Sequence, residues 1–333
     1  MEVRKFILHI VAYLALFCLF CSLVVLGVGW LMGRASFELT AEVNTVVLGD
    51  SHVECAINDT ILDQTVNMSM AGEAYLYSYL KAKTILKANP QVDTLWLAYD
   101  FNSLEEWKDT LTRSERYNKY KLPFHFFMLD AEDLHLFVDQ FSFYSVLART
   151  PYMRRRFIKL ALRSSTTYQD LKIGGYQYLV RDRLKADVAK KDSAYLEHAV
   201  RTPHFGKAMD QVEYLDKIVA LCKERNVTCI LLNTPTHSVV ARDADTSAYY
   251  AYWCNHLQGT TLWDHSAWEL PDSCFGDATH LNHWGAERYS ERLKELRSLG
   301  WPTIDREGRT AADRTKNENT LPVDITANEG RIP

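Results

Sequence analysis

The chain opens with one long apolar run and continues with short apolar runs separated by amphipathic stretches. Residues 6–31 are almost wholly apolar, longer than the roughly 20 residues that a helix needs to cross a bilayer. Short apolar runs predict strands at residues 45–48, 64–68, 93–99, 227–232 and 261–263. Stretches with apolar side chains on one helical face predict helices at residues 72–88, 208–224 and 284–296. Strands that alternate with helices indicate an α/β domain with a mostly parallel sheet and helices on both sides.

Two parts of the chain depart from this alternation. Residues 103–205 are rich in aromatic and charged side chains and predict a largely helical insertion over the sheet. The last residues are polar with few large apolar groups, which is typical of a disordered tail. We therefore predict an N-terminus with its anchor, an α/β domain and a tail at residues 1–36, 37–301 and 302–333. The core of the α/β domain is predicted at residues 44–102 and 207–297.

The charges around the apolar run predict its orientation. Arg4 and Lys5 precede the run, whereas Arg34 is followed by Glu38 and Glu42. The positive-inside rule then places the N-terminus in the cytoplasm and the α/β domain in the periplasm or outside the cell. A cleaved signal peptide is the competing interpretation. The run is long for the apolar region of a signal peptide and no clean small-residue cleavage site follows it, which favours a retained single-pass anchor.

Composition narrows the class of protein. The 333 residues are 47% hydrophobic, enough for a substantial core, and the net charge of -4 argues against a general nucleic-acid binder. Five of the seven cysteines lie outside the apolar run. Cys222 could pair with Cys229 and Cys254 with Cys274, but buried free thiols fit the pattern equally well. None of the five has the spacing of a zinc site, so we expect no metal and no cofactor.

Three polar residues carry the candidate chemistry. Ser51 comes directly after the first predicted strand of the domain, at the start of a helix. Far along the chain, Asp277 and His280 lie three residues apart. Serine is a weak nucleophile that needs a base to take its proton and a third group to orient that base. The spacing lets the Asp277 carboxylate reach the His280 imidazole, so the sequence predicts a Ser51–His280–Asp277 triad.

These motifs resemble the SGNH, or GDSL-type, hydrolase superfamily. The resemblance comprises Gly49-Asp50-Ser51 after the first strand, Asn67 and Gly72 after the second, and Asp277-x-x-His280 before the last helix. It covers roughly residues 44–102 and 207–297 and implies a flavodoxin-like three-layer α/β/α fold. It also implies that Ser51 is the nucleophile, His280 its base and Asp277 the orienting acid. The backbone N–H groups of Ser51 and Gly72 would line an oxyanion hole.

The sequence departs from the family at one motif. The family normally carries Gly-x-Asn-Asp after the third strand, and its asparagine donates to the oxyanion. Here residues 99–103 read Tyr-Asp-Phe-Asn-Ser, so Asn102 is the candidate donor. Two histidines are predicted to bind substrate. His52 follows the nucleophile, and His237 follows the fourth strand at the same edge of the sheet.

The resemblance implies an enzyme of acyl esters, often of acyl groups on carbohydrates. The departure at the Gly-x-Asn-Asp motif makes the site more similar to the divergent, membrane-anchored members found in envelope polysaccharide acylation systems. We expect an esterase or an O-acyltransferase with an acylated or acyl-accepting carbohydrate as substrate and residues 6–31 in the bilayer. The alternative is a non-catalytic accessory subunit that partners a multi-spanning membrane O-acyltransferase. A lectin-like domain without chemistry is a third possibility. No nucleic-acid partner is expected.

Overall fold

A computed structural model describes the chain over residues 2–130, 132–133, 136, 158, 162–163, 166–181, 183–185, 206–241 and 246–300. The predicted tail and most of the predicted insertion beyond residue 130 lie outside the described residues. Within the described residues the chain is mixed α/β with parallel sheets and one apolar N-terminal helix.

The strands are β1 (Ala35–Ser36), β2 (Thr45–Leu48), β3 (Thr65–Asn67), β4 (Thr94–Ala98), β5 (Thr166–Thr167), β6 (Thr228–Asn233) and β7 (Thr261–Asp264). The helices of the N-terminal half are α1 (Glu2–Met32), α2 (Ser51–Ala56), α3 (Tyr75–Ala88), α4 (Trp107–Thr112) and α5 (Glu115–His125). Those that follow are α6 (Tyr168–Leu171), α7 (Met209–Arg225), α8 (Ser238–Ala241), α9 (Ser247–His256) and α10 (His283–Ser298). Short 3-10 turns occupy Phe126–Met128 and Asp272–Cys274.

The main sheet has five parallel strands in the order β3-β2-β4-β6-β7. The first strand of this sheet, β2, therefore lies next to one edge. The following strand, β3, forms that edge, and β4, β6 and β7 extend the sheet on the other side of β2. Its register pairs Val46 of β2 with Val66 on one side and Leu95 on the other. A separate two-stranded parallel sheet pairs β1 with β5, so the segment after α1 contacts the start of residues 166–181.

Both faces of the main sheet are buried. Val46 and Leu48 point into one core cluster, which they share with α3 and α7. Val47 and Trp96 point into the opposite cluster, packed by α2 and α10. Successive side chains of a strand alternate between faces, so burial of both faces requires continuous apolar runs rather than alternating ones. This is why these strands were readable as short uninterrupted apolar segments. Each fully buried large aliphatic side chain contributes about 1.5–3 kcal/mol.

The predicted strands of the main sheet and the predicted helices at residues 208–224 and 284–296 are confirmed, with ends within about two residues. Asn282 caps α10, its side chain accepting from the N–H groups of Trp284 at 3.0 Å and Gly285 at 3.1 Å. The predicted start of α3 at residue 72 is wrong, since the helix begins at Tyr75. Gly72 has a φ of +61° and lies in a turn, a backbone conformation that cannot begin a right-handed helix.

Only part of the predicted helical insertion lies within the described residues. Residues 103–130 contain α4 and α5, whereas residues 173–181 form neither helix nor strand. Gly174 and Gly175, with φ values of +144° and +152°, prevent a helix there. All seven cysteines are free thiols, so neither of the two possible pairings is formed.

The N-terminal helix α1 is unlike the others. Its span Val3–Leu23 has a mean hydropathy of 2.4 and is not buried against the rest of the described chain. It is long and apolar enough to cross a membrane, and it is the one helix of the described residues with that property.

Candidate active site

A tight turn between β2 and α2 places Ser51 at the carboxyl edge of the main sheet. Gly49 has a φ of +150°, and a Cβ atom there would lie 2.2 Å from the Cβ of Ala98, so no larger residue fits. Asp50 then caps α2 through its side chain, which accepts from the His52 N–H at 3.1 Å. Ser51 is the first residue of the helix. The turn therefore presents its hydroxyl at the positive end of a short helix, beside the loops that end the neighbouring strands.

The structure brings Ser51, His280 and Asp277 into one hydrogen-bonded chain. The His280 Nε2 atom lies 2.8 Å from Ser51 Oγ, and the His280 Nδ1 atom lies 2.8 Å from Asp277 Oδ1. The same Oδ1 atom accepts from the backbone N–H groups of Thr279 at 3.0 Å and His280 at 2.9 Å. Because Nδ1 faces the carboxylate, Nε2 is the ring nitrogen that faces the hydroxyl. This arrangement can transfer the hydroxyl proton to the imidazole.

Asp277 is a buried anion with three cationic or dipolar neighbours. Burial favours its neutral form, but the hydrogen bond and charge of His280, the Thr279 N–H and the Arg181 guanidinium outweigh it and hold its pKa well below the ordinary value. Arg181 Nη1 lies 2.5 Å from Asp277 Oδ2, the oxygen that does not face His280. The carboxylate is therefore ionised at neutral pH and held at both oxygens.

A second imidazole lies against the first. The His52 and His280 rings are stacked, with centroids 4.7 Å apart and an interplanar angle of 14°. His52 Nδ1 lies 3.1 Å from Asp50 Oδ1 and 3.4 Å from Asp100 Oδ2, and Lys108 Nζ lies 3.4 Å from Asp50 Oδ2. Burial opposes a charge on His52, but the two carboxylates overcome that and raise its pKa to about 9.

The charges of Asp50, His52, Asp100 and Lys108 balance one another. Burial disfavours the Asp50 carboxylate, yet His52 and Lys108 hold its pKa far below the ordinary value. Asp50, His52 and Asp100 also bring three possible ligand atoms within 4.8 Å of one another. Two cations already neutralise the two carboxylates here, so we interpret the group as an ion-pair network rather than a metal site.

Two predicted oxyanion donors are close to Ser51. Gly72 and Asn102 line the same cavity as Ser51, and this cavity has a volume of about 550 Å³. Within the described residues, the N–H groups of Ser51 and Gly72 and the side-chain amide of Asn102 make no hydrogen bond. The positive φ of Gly72 turns its peptide out of any helical pattern. The remaining wall is formed by Asp50, His52, Glu73, Ala74, Trp107, Lys108, Leu111, Thr112, Tyr117, Thr279 and His280.

The loop that carries Gly72 is fixed from behind by α5 and α3. The Tyr117 hydroxyl donates to the Gly72 carbonyl at 2.8 Å and accepts from the Ala74 N–H at 2.9 Å. Lys121 donates to the carbonyl of Ala71. Lys81 donates to the carbonyl of Met68 at 2.6 Å.

Lys81 also belongs to a fully buried charge network under this loop. It pairs with the Glu73 carboxylate, which His125 Nε2 approaches at 3.3 Å. Burial raises the free energy of the Glu73 anion, but Lys81 and His125 lower its pKa below the ordinary value. Buried charges of this kind persist when they are paired and hydrogen-bonded, so the network ties the Gly72 loop to α3 and α5.

His237, the second predicted substrate-binding histidine, lies outside the cavity that contains Ser51. Its N–H donates to the carbonyl of Ala278 at 3.0 Å, and its Nε2 atom lies 3.2 Å from Asp272 Oδ1. Its ring packs edge-on against Phe275. Among the described residues, those that line the cavity with Ser51 do not include His237. The structure thus places His237 behind the loop that carries Asp277 and His280, where it supports the loop.

Sequence reasoning missed Arg181, Asp100, Lys108 and Tyr117. Arg181 is 96 residues from Asp277 in a segment without strand or helix periodicity, so no local signal marks it. Lys108 and Tyr117 lie on α4 and α5, which were not resolved as separate helices from the pattern. Asp100 follows β4 at the same sheet edge as Ser51, and its position at a strand end was a usable signal.

Comparison with known proteins adds little to this geometry. The model of one uncharacterised family matches residues 189–297, which is less than half of the 333-residue chain. The matched range contains Asp277 and His280 but not Ser51. No curated protein and no solved structure matches the chain.

Proposed function

We propose that this chain is a membrane-anchored serine enzyme of acyl esters, a divergent member of the SGNH superfamily. The observation that carries the proposal is the continuous chain Ser51 Oγ, His280 Nε2, His280 Nδ1 and Asp277 Oδ1, with both links at 2.8 Å. Three groups from distant parts of the sequence meet there in the order and geometry that serine nucleophiles require. The proposal assigns Ser51 as nucleophile, His280 as base and Asp277 as the group that orients the base.

The proposed reaction proceeds through an acyl-enzyme. His280 Nε2 takes the Ser51 proton as Oγ attacks the ester carbonyl, and the proton then passes to the leaving alkoxide as the ester C–O bond breaks. In the second half, His280 takes a proton from the acceptor hydroxyl as that oxygen attacks the Ser51 ester, and the proton passes to Oγ as the acyl C–Oγ bond breaks. Asp277 keeps Nδ1–H engaged throughout and stabilises the imidazolium. Water as acceptor gives hydrolysis, and a sugar hydroxyl gives acyl transfer.

The oxyanion hole is assigned to the N–H groups of Ser51 and Gly72 and to the side-chain amide of Asn102. Their lack of other partners within the described residues and their place on one cavity wall support this assignment. Preorganised donors of this kind are worth about 10²–10³ in rate each.

The fold and location belong to the same proposal. The strand order, counted within the main sheet, is 2-1-3-4-5, which supports a flavodoxin-like fold. The helix α1, with Arg4 and Lys5 before it, supports a single-pass anchor with a cytoplasmic N-terminus and a periplasmic or extracellular domain. The substrate class that we propose is an acylated or acyl-accepting carbohydrate of the envelope or an exported glycan. His52, which lines the cavity beside Ser51, is assigned to substrate binding.

A fluorophosphonate probe tests the assignment directly, because it phosphonylates only a serine that has been activated as a nucleophile. The full-length chain in detergent should acquire one adduct, mapped by mass spectrometry to Ser51. Ser51→Ala should abolish the adduct and His280→Ala should slow it at least 10²-fold. Ser273→Ala, a serine of the neighbouring loop, is the matched control and should label normally. A folded wild-type chain that acquires no adduct would contradict the proposal and favour an accessory subunit of a membrane O-acyltransferase.

A further inference from the structure

A segment without helix or strand contacts two loops and one helix of the candidate active site. Residues 173–181 and Arg183, which we call the strap, lie in the second half of the predicted insertion. The Gly175 N–H donates to Ser69 O at 3.1 Å in the loop that carries Gly72. The Gln177 N–H donates to Glu54 O at 2.9 Å in the helix that begins with Ser51.

The far end of the strap is joined to the loop that carries Asp277 and His280. The Leu179 carbonyl accepts from the His283 N–H at 3.1 Å, and the Arg183 N–H donates to Gly276 O at 2.9 Å. The strap therefore contacts the loop that carries Gly72, the helix α2 and the loop that carries Asp277 and His280. Its path requires Gly174, because a Cβ atom at that residue would lie 2.2 Å from the Met68 carbonyl oxygen.

Arg181 is the strap residue that reaches the triad. Its Nη1 atom lies 2.5 Å from Asp277 Oδ2, while Oδ1 receives the His280 imidazole at 2.8 Å. Without Arg181, one carboxylate oxygen would be fixed and the other would have no described hydrogen-bond partner. The other described partners of the carboxylate, which are the Thr279 and His280 N–H groups, the Thr279 hydroxyl and His280 Nδ1, all lie on Oδ1. Arg181 is therefore the one described partner that opposes rotation about the Cβ–Cγ bond from the Oδ2 side.

We infer that Arg181 is a positioning residue of the proposed serine enzyme, delivered by the strap to hold Asp277 in the plane that directs His280 at Ser51. The inference rests on the proposed function. Arg181 touches no reacting atom. It acts on the rate of the chemical step through Asp277, so its removal should slow nucleophilic attack and leave the affinity for small ester analogues unchanged. A charge-assisted hydrogen bond of this kind is among the stronger ones in proteins.

The test compares Arg181→Met with Arg183→Met, a neighbouring exposed arginine of the same strap. Fluorophosphonate inactivation of the full-length chain is followed at several probe concentrations, which separates the maximal inactivation rate from the probe affinity. We expect Arg181→Met to lower the maximal rate about 10-fold with affinity within 2-fold, and Arg183→Met to match the wild type. Arg181→Lys, which keeps the charge, should recover part of the rate.

The outcomes separate the two proposals. No adduct on Ser51 of the wild type would refute the proposed function. Normal labelling of the wild type with equal rates for Arg181→Met and Arg183→Met would refute the positioning role and leave the enzyme intact. A merely structural role would lower the melting temperature and the labelled fraction without changing the rate for the folded molecules. If Arg181→Met does not fold, Arg181→Gln, which can still donate to Asp277, provides the same comparison with a smaller expected loss.

Discussion

Asp50, Ser51 and His52 are neighbours in the chain whose side chains enter different networks. The Asp50 carboxylate caps α2 and pairs with His52 and Lys108. The Ser51 hydroxyl faces His280. The His52 ring lies flat against His280 and is anchored at Nδ1 by two carboxylates. One helical turn thus supplies the candidate nucleophile together with a charged support for its base.

The raised pKa of His52 makes stability depend on pH. Its proton is held more tightly in the folded chain, where the pKa is about 9, than at its ordinary value of 6.5. The stabilisation is therefore complete below about pH 6.5 and is lost as pH rises through about 9. Between about pH 6.5 and 9, we expect the free energy of unfolding of the wild type to fall by roughly 1–3 kcal/mol more than that of His52→Gln. Urea unfolding of the full-length chain at several pH values measures it.

The matched control for this prediction is His256→Gln, which removes an exposed histidine at the end of α9. That variant should follow the wild-type pH dependence, because its ring is outside the network of Asp50 and Asp100. If His52→Gln and His256→Gln lost stability in parallel from pH 6.5 to 9, the charge on His52 would contribute nothing to folding.

At this scale the sequence predicts contacts that spacing controls and misses those that depend on distant chain segments. Asp277 and His280 lie three residues apart, so their mutual hydrogen bond was predictable. Gly49 and Ser51 follow an apolar run, which was enough to place them at a strand end. Arg181 was not predictable, because its partner is 96 residues away and its own surroundings carry no periodic signal.

Among the elements, the loop between β3 and α3 shows how helices shape the cavity without contributing catalytic groups. It carries Gly72, and it is held by the Tyr117 hydroxyl of α5 through two hydrogen bonds. Such a loop has no internal regular structure to keep it in place. Its conformation is set by the side chains that reach its carbonyl and N–H groups, together with backbone hydrogen bonds from the Met70 N–H to Gly49 O and from the Gly175 N–H to Ser69 O.

Removal of one hydroxyl tests this support. Tyr117→Phe keeps the ring but leaves the Gly72 carbonyl and the Ala74 N–H without that partner. We expect a loss of about 1–2 kcal/mol in the free energy of unfolding and a roughly 10-fold slower labelling of Ser51, because a displaced oxyanion donor stabilises the transition state less. Thermal unfolding and probe kinetics measure the two effects.

Tyr120→Phe is the control, since Tyr120 lies on the same helix and is largely exposed. It should change neither quantity measurably. A Tyr117→Phe variant that labels at the wild-type rate would show that the loop keeps its geometry without the hydroxyl, and the assignment of Gly72 as a donor would lose its structural support.

Strands and helices with a clear hydrophobic pattern could be predicted from the sequence. Turns and segments whose path depends on contacts with distant parts of the chain could not. The strands β2 and β4 were read from apolar runs because both of their faces are buried. The helix α3 was predicted three residues too early because Gly72 lies in a turn, which hydrophobic periodicity does not register. The strap has no periodicity at all. Its path follows from hydrogen bonds to loops and a helix that the sequence cannot place beside it.

For the whole molecule, the distance along the chain limits where the candidate site can lie. Nineteen residues lead from Met32 at the end of α1 to Ser51. A fully extended chain of that length spans at most about 65 Å. If α1 stays in a bilayer, the site therefore stays close to the membrane surface. That location suits an acyl group or glycan that is made or exported at the membrane.

The orientation of the whole molecule can be tested with a cysteine that the chain already has. Cys254 on α9 is exposed, whereas Cys55, Cys222, Cys229 and Cys274 are buried and Cys18 and Cys21 lie within the apolar helix. With the N-terminus in the cytoplasm, a maleimide that cannot cross membranes should label Cys254 in intact spheroplasts, and Cys254→Ser should remove the label. If labelling required permeabilised membranes, the domain would lie in the cytoplasm, and exported glycans would no longer be possible substrates. Recovery of the labelled chain from the soluble fraction, shortened at its N-terminus, would instead identify α1 as a cleaved signal peptide and leave the proposed chemistry at Ser51 unchanged.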